Sequence, residues 1–427
     1  MRPRGGSVLR ALGGGAPAGT VGGLVVGALL ARRGVALDHA ALLLVVAAAA
    51  GAGFGWLVRE RDPGEALFLG VAYGALGWWL GPLTLRPLTS GQPLAWSVPA
   101  AQRQFATLLA FLLYGASTGL AYAVLRGRRR ERLAGALLRG TLAGTIVALL
   151  LHVPGGLVAG PLLGFAQALE APQPARGFGA ALVRGQGYGF LAWVVVLGGA
   201  SRWSVEQARA SFPALLAYLV LGLSVALLRQ CLDGLAGLLS PERLRVYSGV
   251  VATHGPLRSA LHGAVAGLLG ATALAPQAVR AAGAPSLAGL CGAGIAIGVP
   301  YGLLFRRLDR DLTTALGWGL SYGFLCWALG PLTFLPMLGG QDLRWAATEA
   351  AGAFGALVAL LLHGACLGVA FHLLQVPYCG PGPWPSAHDD GGEDGSPPPD
   401  PEPIPMAASS GLLVTVLLMV LLVLTGA

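Results

Sequence analysis

The chain has no lysine, no asparagine, 19 acidic residues and five cysteines among its 427 residues. Each shortage excludes something. Charged residues make up 11%, where a soluble domain carries about 25%, so there is too little charge to cover a water-facing surface of this size. Cys231, Cys291, Cys326, Cys366 and Cys379 form no C-x-x-C pair, which removes both a zinc ribbon and a disulfide framework. Four of them are expected to be small buried hydrophobes, with Cys379 in a loop. All 28 basic residues are arginine, scattered through short connections rather than gathered on one face, which argues against nucleic acid as a partner. Lys and Asn share AT-rich codons, so their joint absence reflects genome composition and gives the arginines no special phosphate-binding meaning.

What remains is apolar. Hydrophobic residues reach 55% and the mean hydropathy is +0.68. A hydrocarbon core of about 30 Å takes about 20 apolar residues per helix. Suitable windows fall at 11–31, 38–58, 65–85, 104–125, 137–153, 155–170, 178–199, 211–228, 259–276, 286–305, 313–335, 350–374 and 410–426. The expected class is therefore all-α, a polytopic transmembrane bundle of 12–13 spans whose first partner is the lipid bilayer. The window at 155–170 is short and contains Pro161, and every later segment changes side if it does not cross. With the amino terminus in the cytoplasm, 20 of the 28 arginines face inward, and the run RGRRRER at 126–132 anchors that orientation.

The sequence repeats. YGALGWWLGPLTLRPLTSGQPLAWS from Tyr73 returns 249 residues later as YGFLCWALGPLTFLPMLGGQDLRWA from Tyr322, in ungapped register over about fifty residues. A third copy, with the Gly-Pro-Leu-Thr loop shortened, lies between them as YGFLAWVV from Tyr188 and WSVEQARASF from Trp203. Each unit also opens alike, at Leu9-Arg10, Leu138-Arg139 and Leu257-Arg258, with a glycine five residues after each arginine. Three tandem four-helix units are expected, all pointing the same way because four spans return the chain to its starting side. The boundaries are 1–133, 134–232, a connector at 233–257, 258–375, a Pro/Gly/acidic linker at 376–409 expected to be disordered, and a hydrophobic helix at 410–427. That last helix has a tail anchor's composition, with a removable sorting signal as the alternative. The amino-terminal segment belongs to the first unit and is expected to be retained.

Candidate substrate-lining residues come from the repeated stretch: Tyr73, Trp78, Thr84, Gln92, Tyr188, Trp193, Tyr322, Trp327, Thr333 and Gln341. Two readings compete. The tryptophans Trp78, Trp79 and Trp327 just before a Gly-Pro step suit an interfacial aromatic belt. Alternatively, three copies of the tyrosine converge on a central axis and line a pocket. Gly81-Pro82 and Gly330-Pro331 are expected to end or kink their helices. The loops that follow offer Thr84, Gln92, Thr333 and Gln341 as a polar lining if they fold back into the membrane. His363 and Cys366 share a helix face but have no second pair, so a metal site is not expected. Glu65, Arg103, Arg139, Arg184 and Glu349 fall near span ends, leaving apolar helix centres and small-residue packing at Gly22-Gly23, Gly51-x-Gly53-x-Gly55 and Gly115-x3-Gly119. The turns at Arg59–Asp62 and Arg307–Asp311 suit cytoplasmic salt links. No constellation suggests an enzyme, a cofactor or a metal.

The Tyr-Gly-x3-Trp-x2-Gly-Pro-Leu motif and the Trp-Ser segment after it resemble those of uncharacterised bacterial polytopic membrane proteins. That resemblance implies a bacterial inner-membrane location and supplies no activity. Two function classes remain: a transport or lipid-handling protein whose units surround a central path, and a structural or partner-organising membrane protein.

Overall fold

A computed structural model describes residues 5–31, 40–58, 65–126, 133–151, 156–170, 178–199, 204–238, 255–272, 287–306, 312–375 and 407–426. Every regular element among them is helical. Six helices are long and apolar enough to cross a membrane: Ala66–Thr89, Phe105–Leu125, Phe212–Leu235, Ala288–Phe305, Thr314–Leu338 and Phe354–Gln375. Four further apolar helices are shorter, among them Leu157–Leu169 in the doubtful window. The chain is an all-α, multi-pass membrane protein. The turns at Arg59–Asp62 and Arg307–Asp311 and the acidic linker lie outside the described residues.

The first helices are α1 (Gly5–Ala31), α2 (Ala40–Leu57), α3 (Ala66–Leu80), the short α4 (Arg86–Thr89) and α5 (Val98–Arg103), and α6 (Phe105–Arg126). Then follow α7 (Leu133–Leu151), α8 (Gly156–Glu170), α9 (Phe178–Gly199), the short α10 (Val205–Ala210) and α11 (Phe212–Leu238). The remainder are α12 (Pro256–Ala271), α13 (Leu287–Phe305), α14 (Leu312–Leu329), the short α15 (Leu335–Leu338) and α16 (Ala347–Gly352), α17 (Phe354–Gln375) and α18 (Ala407–Thr425). One packing pattern occurs three times. α1 packs on α2, α3 on α6 and α1 on α6; α7, α8, α9 and α11 pair in the same way, and so do α12, α13, α14 and α17.

Glycine explains how these pairs hold. Lipid tails are as apolar as leucine, so helices in a bilayer gain little from burying apolar surface and rely instead on close backbone approach. A Cβ placed on Gly70 would strike the carbonyl of Gly115, and one on Gly115 would strike that of Gly70. Gly319 and Gly364 face each other in the same way. So do Gly15 with Gly51, Gly140 with Gly164, Gly185 with Gly222, and Gly263 with Gly298. All six close helix pairs therefore meet backbone to backbone, including those built on the expected Gly51 and Gly115 positions.

Three local expectations need correction. The helices do not end at the Gly-Pro steps: α3 runs through a π-turn at Gly81–Leu85 into α4, and α14 through one at Gly330–Phe334 into α15. Proline lacks an N–H and its ring clashes with the carbonyl four residues back. Widening the turn avoids both, with the Arg86 N–H bonded to Gly81 O and the Leu335 N–H to Gly330 O, five residues apart. Second, the helix expected over 211–228 continues past Arg229, and past residue 232, to Leu238. An Arg229–Asp233 pair one turn apart carries the charge through it. Third, Cys231 and Cys366 lie exposed on the bundle's outer surface rather than buried.

α18 does not stand apart as a tail anchor. It packs on α3, α9 and α14 and also touches the short helices α5, α10 and α16. Leu413, Val414, Val416, Leu417, Val420, Leu421, Val423 and Leu424 are all buried. The last carbonyls of a helix have no partner of their own. Here Gln102 Nε2 donates to Val423 O at 3.0 Å and Arg209 Nε to Leu424 O at 2.5 Å. Gln102 and Arg209 each lie six residues after the tryptophan of a WSV segment, so equivalent positions in the sequence register converge on one helix end.

Candidate functional site

The three tyrosines do not meet at a common pocket. Tyr73 donates to Ala50 O at 3.0 Å, Tyr188 to Ala166 O at 3.4 Å and Tyr322 to Ile297 O at 2.9 Å. Each hydroxyl thus reaches back to the second helix of its own set of four, because a phenol buried among apolar helices must find an acceptor. The tryptophans behave alike. Trp78 donates to Gln104 O at 3.1 Å, Trp193 to Ser211 O at 3.2 Å and Trp327 to Ala353 O at 3.0 Å. These carbonyls lie where a short helix breaks before α6, α11 and α17, and the indole supplies the hydrogen bond the break leaves open. All three rings are buried, so Trp78 and Trp327 are not belt residues, whereas Trp79 is exposed and stacks on Trp96 at 5.6 Å.

The loops close on themselves instead of lining a path. Gly91 and Gly340 take φ of 67° and 65°, in the left-handed region that favours glycine. The chain then folds back, with Ala95 N bonded to Leu83 O at 3.0 Å and Arg344 N to Leu332 O at 3.1 Å. Thr84 Oγ1 donates to Trp79 O at 2.9 Å and accepts from Trp96 Nε1 at 3.1 Å. Thr333 makes the same pair with Ala328 O and Trp345 Nε1. Gln92 and Gln341 sit on the exposed turns. Thr333 lines a small cavity that it shares with Gln186 and apolar residues of α11 and α14.

The polar interior lies elsewhere. Asp233 Oδ1 accepts from Arg139 Nε at 2.5 Å, and its Oδ2 stands 3.6 Å from Arg229 Nε. Arg184 acts electrostatically on Arg229 from α9. Arg184, Arg229 and Asp233 are 7%, 4% and 3% exposed, while the Arg139 side chain is 23% exposed. The windows had set Arg139 and Arg184 at span ends and stopped before Arg229. The legible signal was the Arg-x3-Asp spacing, which on a helix makes one ion-paired face. His363 is fully buried with its ring against Gly270, and among the described residues no three His, Cys, Asp or Glu side chains come together as metal ligands.

A buried carboxylate facing several guanidiniums is hard to remove. Asp233→Asn leaves uncompensated buried positive charge, a loss of about 3–5 kcal/mol. Thermal unfolding of the detergent-purified protein should show the loss, and adding Arg139→Leu should recover much of it. No protein-family model, curated protein or solved structure matches the chain.

Proposed function

We propose that this is a non-enzymatic, partner-organising scaffold of the bacterial inner membrane, built from three parallel four-span units closed around α18, with its amino terminus in the cytoplasm. Its units are residues 1–133, 134–232 and 258–375, giving twelve spans with α18 as the thirteenth. The observation that carries this reading is the filled axis: α18 occupies the place where a central path would run, against α3, α9 and α14. The recurring Tyr and Trp hydrogen bonds support the three-unit organisation. A transporter with a central path would need that axis open.

Two measurements test it. Reporter fusions after residues 132, 175, 250 and 385 should all report cytoplasm, and a periplasmic signal at 250 would remove the parallel arrangement. In a chain with its five cysteines replaced by alanine, Leu417→Cys and Val420→Cys should resist a small hydrophilic maleimide on both sides of the membrane. Labelling at either position would mean a wet axis and sink the scaffold reading.

A further inference from the structure

One position of the repeat carries a polar side chain in the middle set of helices and an aliphatic one in the other two. Val71 and Leu320 stand two residues before Tyr73 and Tyr322, where Gln186 stands before Tyr188. Val71 is buried and Leu320 packs against the same core, so packing alone does not call for a carboxamide here. Gln186 is 2% exposed, and neither its Oε1 nor its Nε2 has a hydrogen-bond partner among the described residues. It lies about 12 Å along α9 from Phe178, next to Gly185, whose Cβ would strike the Gly222 carbonyl of α11. An amide withdrawn from water without a replacement hydrogen bond is costly. Its retention at this depth needs a partner.

Gln186 borders the cavity that Thr333 also lines. α9 packs on α11 and touches α14, and the cavity walls come from Leu219 and Leu223 of α11 and Phe324 and Leu325 of α14. Those four side chains are buried. Thr333 supplies a second polar group: its Oγ1 donates to Ala328 O and accepts from Trp345 Nε1, and a hydroxyl oxygen with two lone pairs can accept once more. No ionisable side chain among the described residues lines the cavity. The lining therefore suits an uncharged occupant that both donates and accepts, and the space is on the scale of one water molecule.

We propose that this cavity is a binding site for a single water molecule, held by Gln186 and Thr333 where the second and third sets of helices meet. The water donates one hydrogen to Gln186 Oε1 while accepting from Gln186 Nε2, and gives its second hydrogen to Thr333 Oγ1. Three hydrogen bonds are the usual number for a buried water. An all-apolar cavity of the same size would stay dry, so the carboxamide is what makes the site wet. The inference does not depend on the axis being closed, and thiol labelling of α18 does not bear on it.

The test is X-ray hydroxyl-radical footprinting of the full-length protein in a neutral maltoside detergent. Radicals formed from a bound water react before they diffuse far, so a buried side chain is oxidised when a water lies beside it. Phe324 is 1% exposed and lines the cavity, whereas Phe54 is fully buried among the rings of Tyr73 and Tyr122. Phe324 should gain oxygen at least 5-fold faster than Phe54. Gln186→Leu, which installs the residue of the third set, should bring Phe324 down to the rate of Phe54 while eluting as a single species. If that variant does not elute cleanly, Gln186→Met decides by the same criterion. Equal rates at the two phenylalanines of the wild-type protein overturn the proposal, as does an unchanged Phe324 rate in the deciding variant.

Discussion

Gly115→Leu should abolish recovery of a monodisperse protein, while Gly234→Ala should leave recovery unchanged or raise it. The two glycines are chemically alike and sit in long helices, but their surroundings differ. The side chain of a residue at 115 would have to enter the space held by the Gly70 carbonyl and the Gly74 backbone nitrogen. Nothing lies within 4 Å of a Cβ at 234. Overpacking a well-filled contact costs about 1–3 kcal/mol for small additions and more when backbone must move. Gly115→Ala should therefore be measurably weaker and Gly115→Leu should separate α3 from α6. At 234 the gain in helix propensity, about 1 kcal/mol at most, is the only term left. Gly364→Leu should reproduce the first result, because Gly364 meets the Gly319 carbonyl in the same geometry. Size-exclusion profiles of the four variants check all of this. A monodisperse Gly115→Leu protein would mean that α3 and α6 do not touch through glycine.

Ending the chain at residue 375 should lower the unfolding temperature by about 5 °C, and adding the 407–427 segment as a separate peptide should restore most of it. Eight apolar side chains of α18 lose their site, and Gln102 and Arg209 lose the carbonyls they cap. In a bilayer lipid tails can refill the vacated centre, so the loss is of packing and hydrogen bonds rather than of transfer free energy. Two charge-assisted or amide hydrogen bonds and an imperfectly refilled groove amount to about 5 kcal/mol, which for a chain of this size corresponds to the stated shift. An unchanged unfolding temperature would place α18 outside the bundle and remove the basis for a closed axis.

Much of the fold is legible before any coordinates. The helical, lipid-facing character follows from charge scarcity and window hydropathy, and the recurrent hydrogen bonds of Tyr73, Tyr188 and Tyr322 follow the spacing of the repeated stretch. The sites were less legible. Trp78 and Trp327 precede a Gly-Pro step exactly as belt residues would, and nothing local says that a broken helix twenty-six residues on needs their indole N–H. Arg139, Arg184, Arg229 and Asp233 lie on three separate helices, so each looks like a span-end charge when taken alone.

Composition and periodicity determined the solvent, the helices and the recurrence of the motif, because each is a property of residues near one another in the chain. Tertiary structure decided that the final apolar helix packs on α3, α9 and α14 and that Arg139 and Arg229 share one aspartate. Both depend on which helix faces meet, and glycine contacts between distant segments set that. A hydropathy pattern gives a helix its solvent, but an unpatterned apolar helix such as α18 carries no mark of the side on which its neighbours will lie.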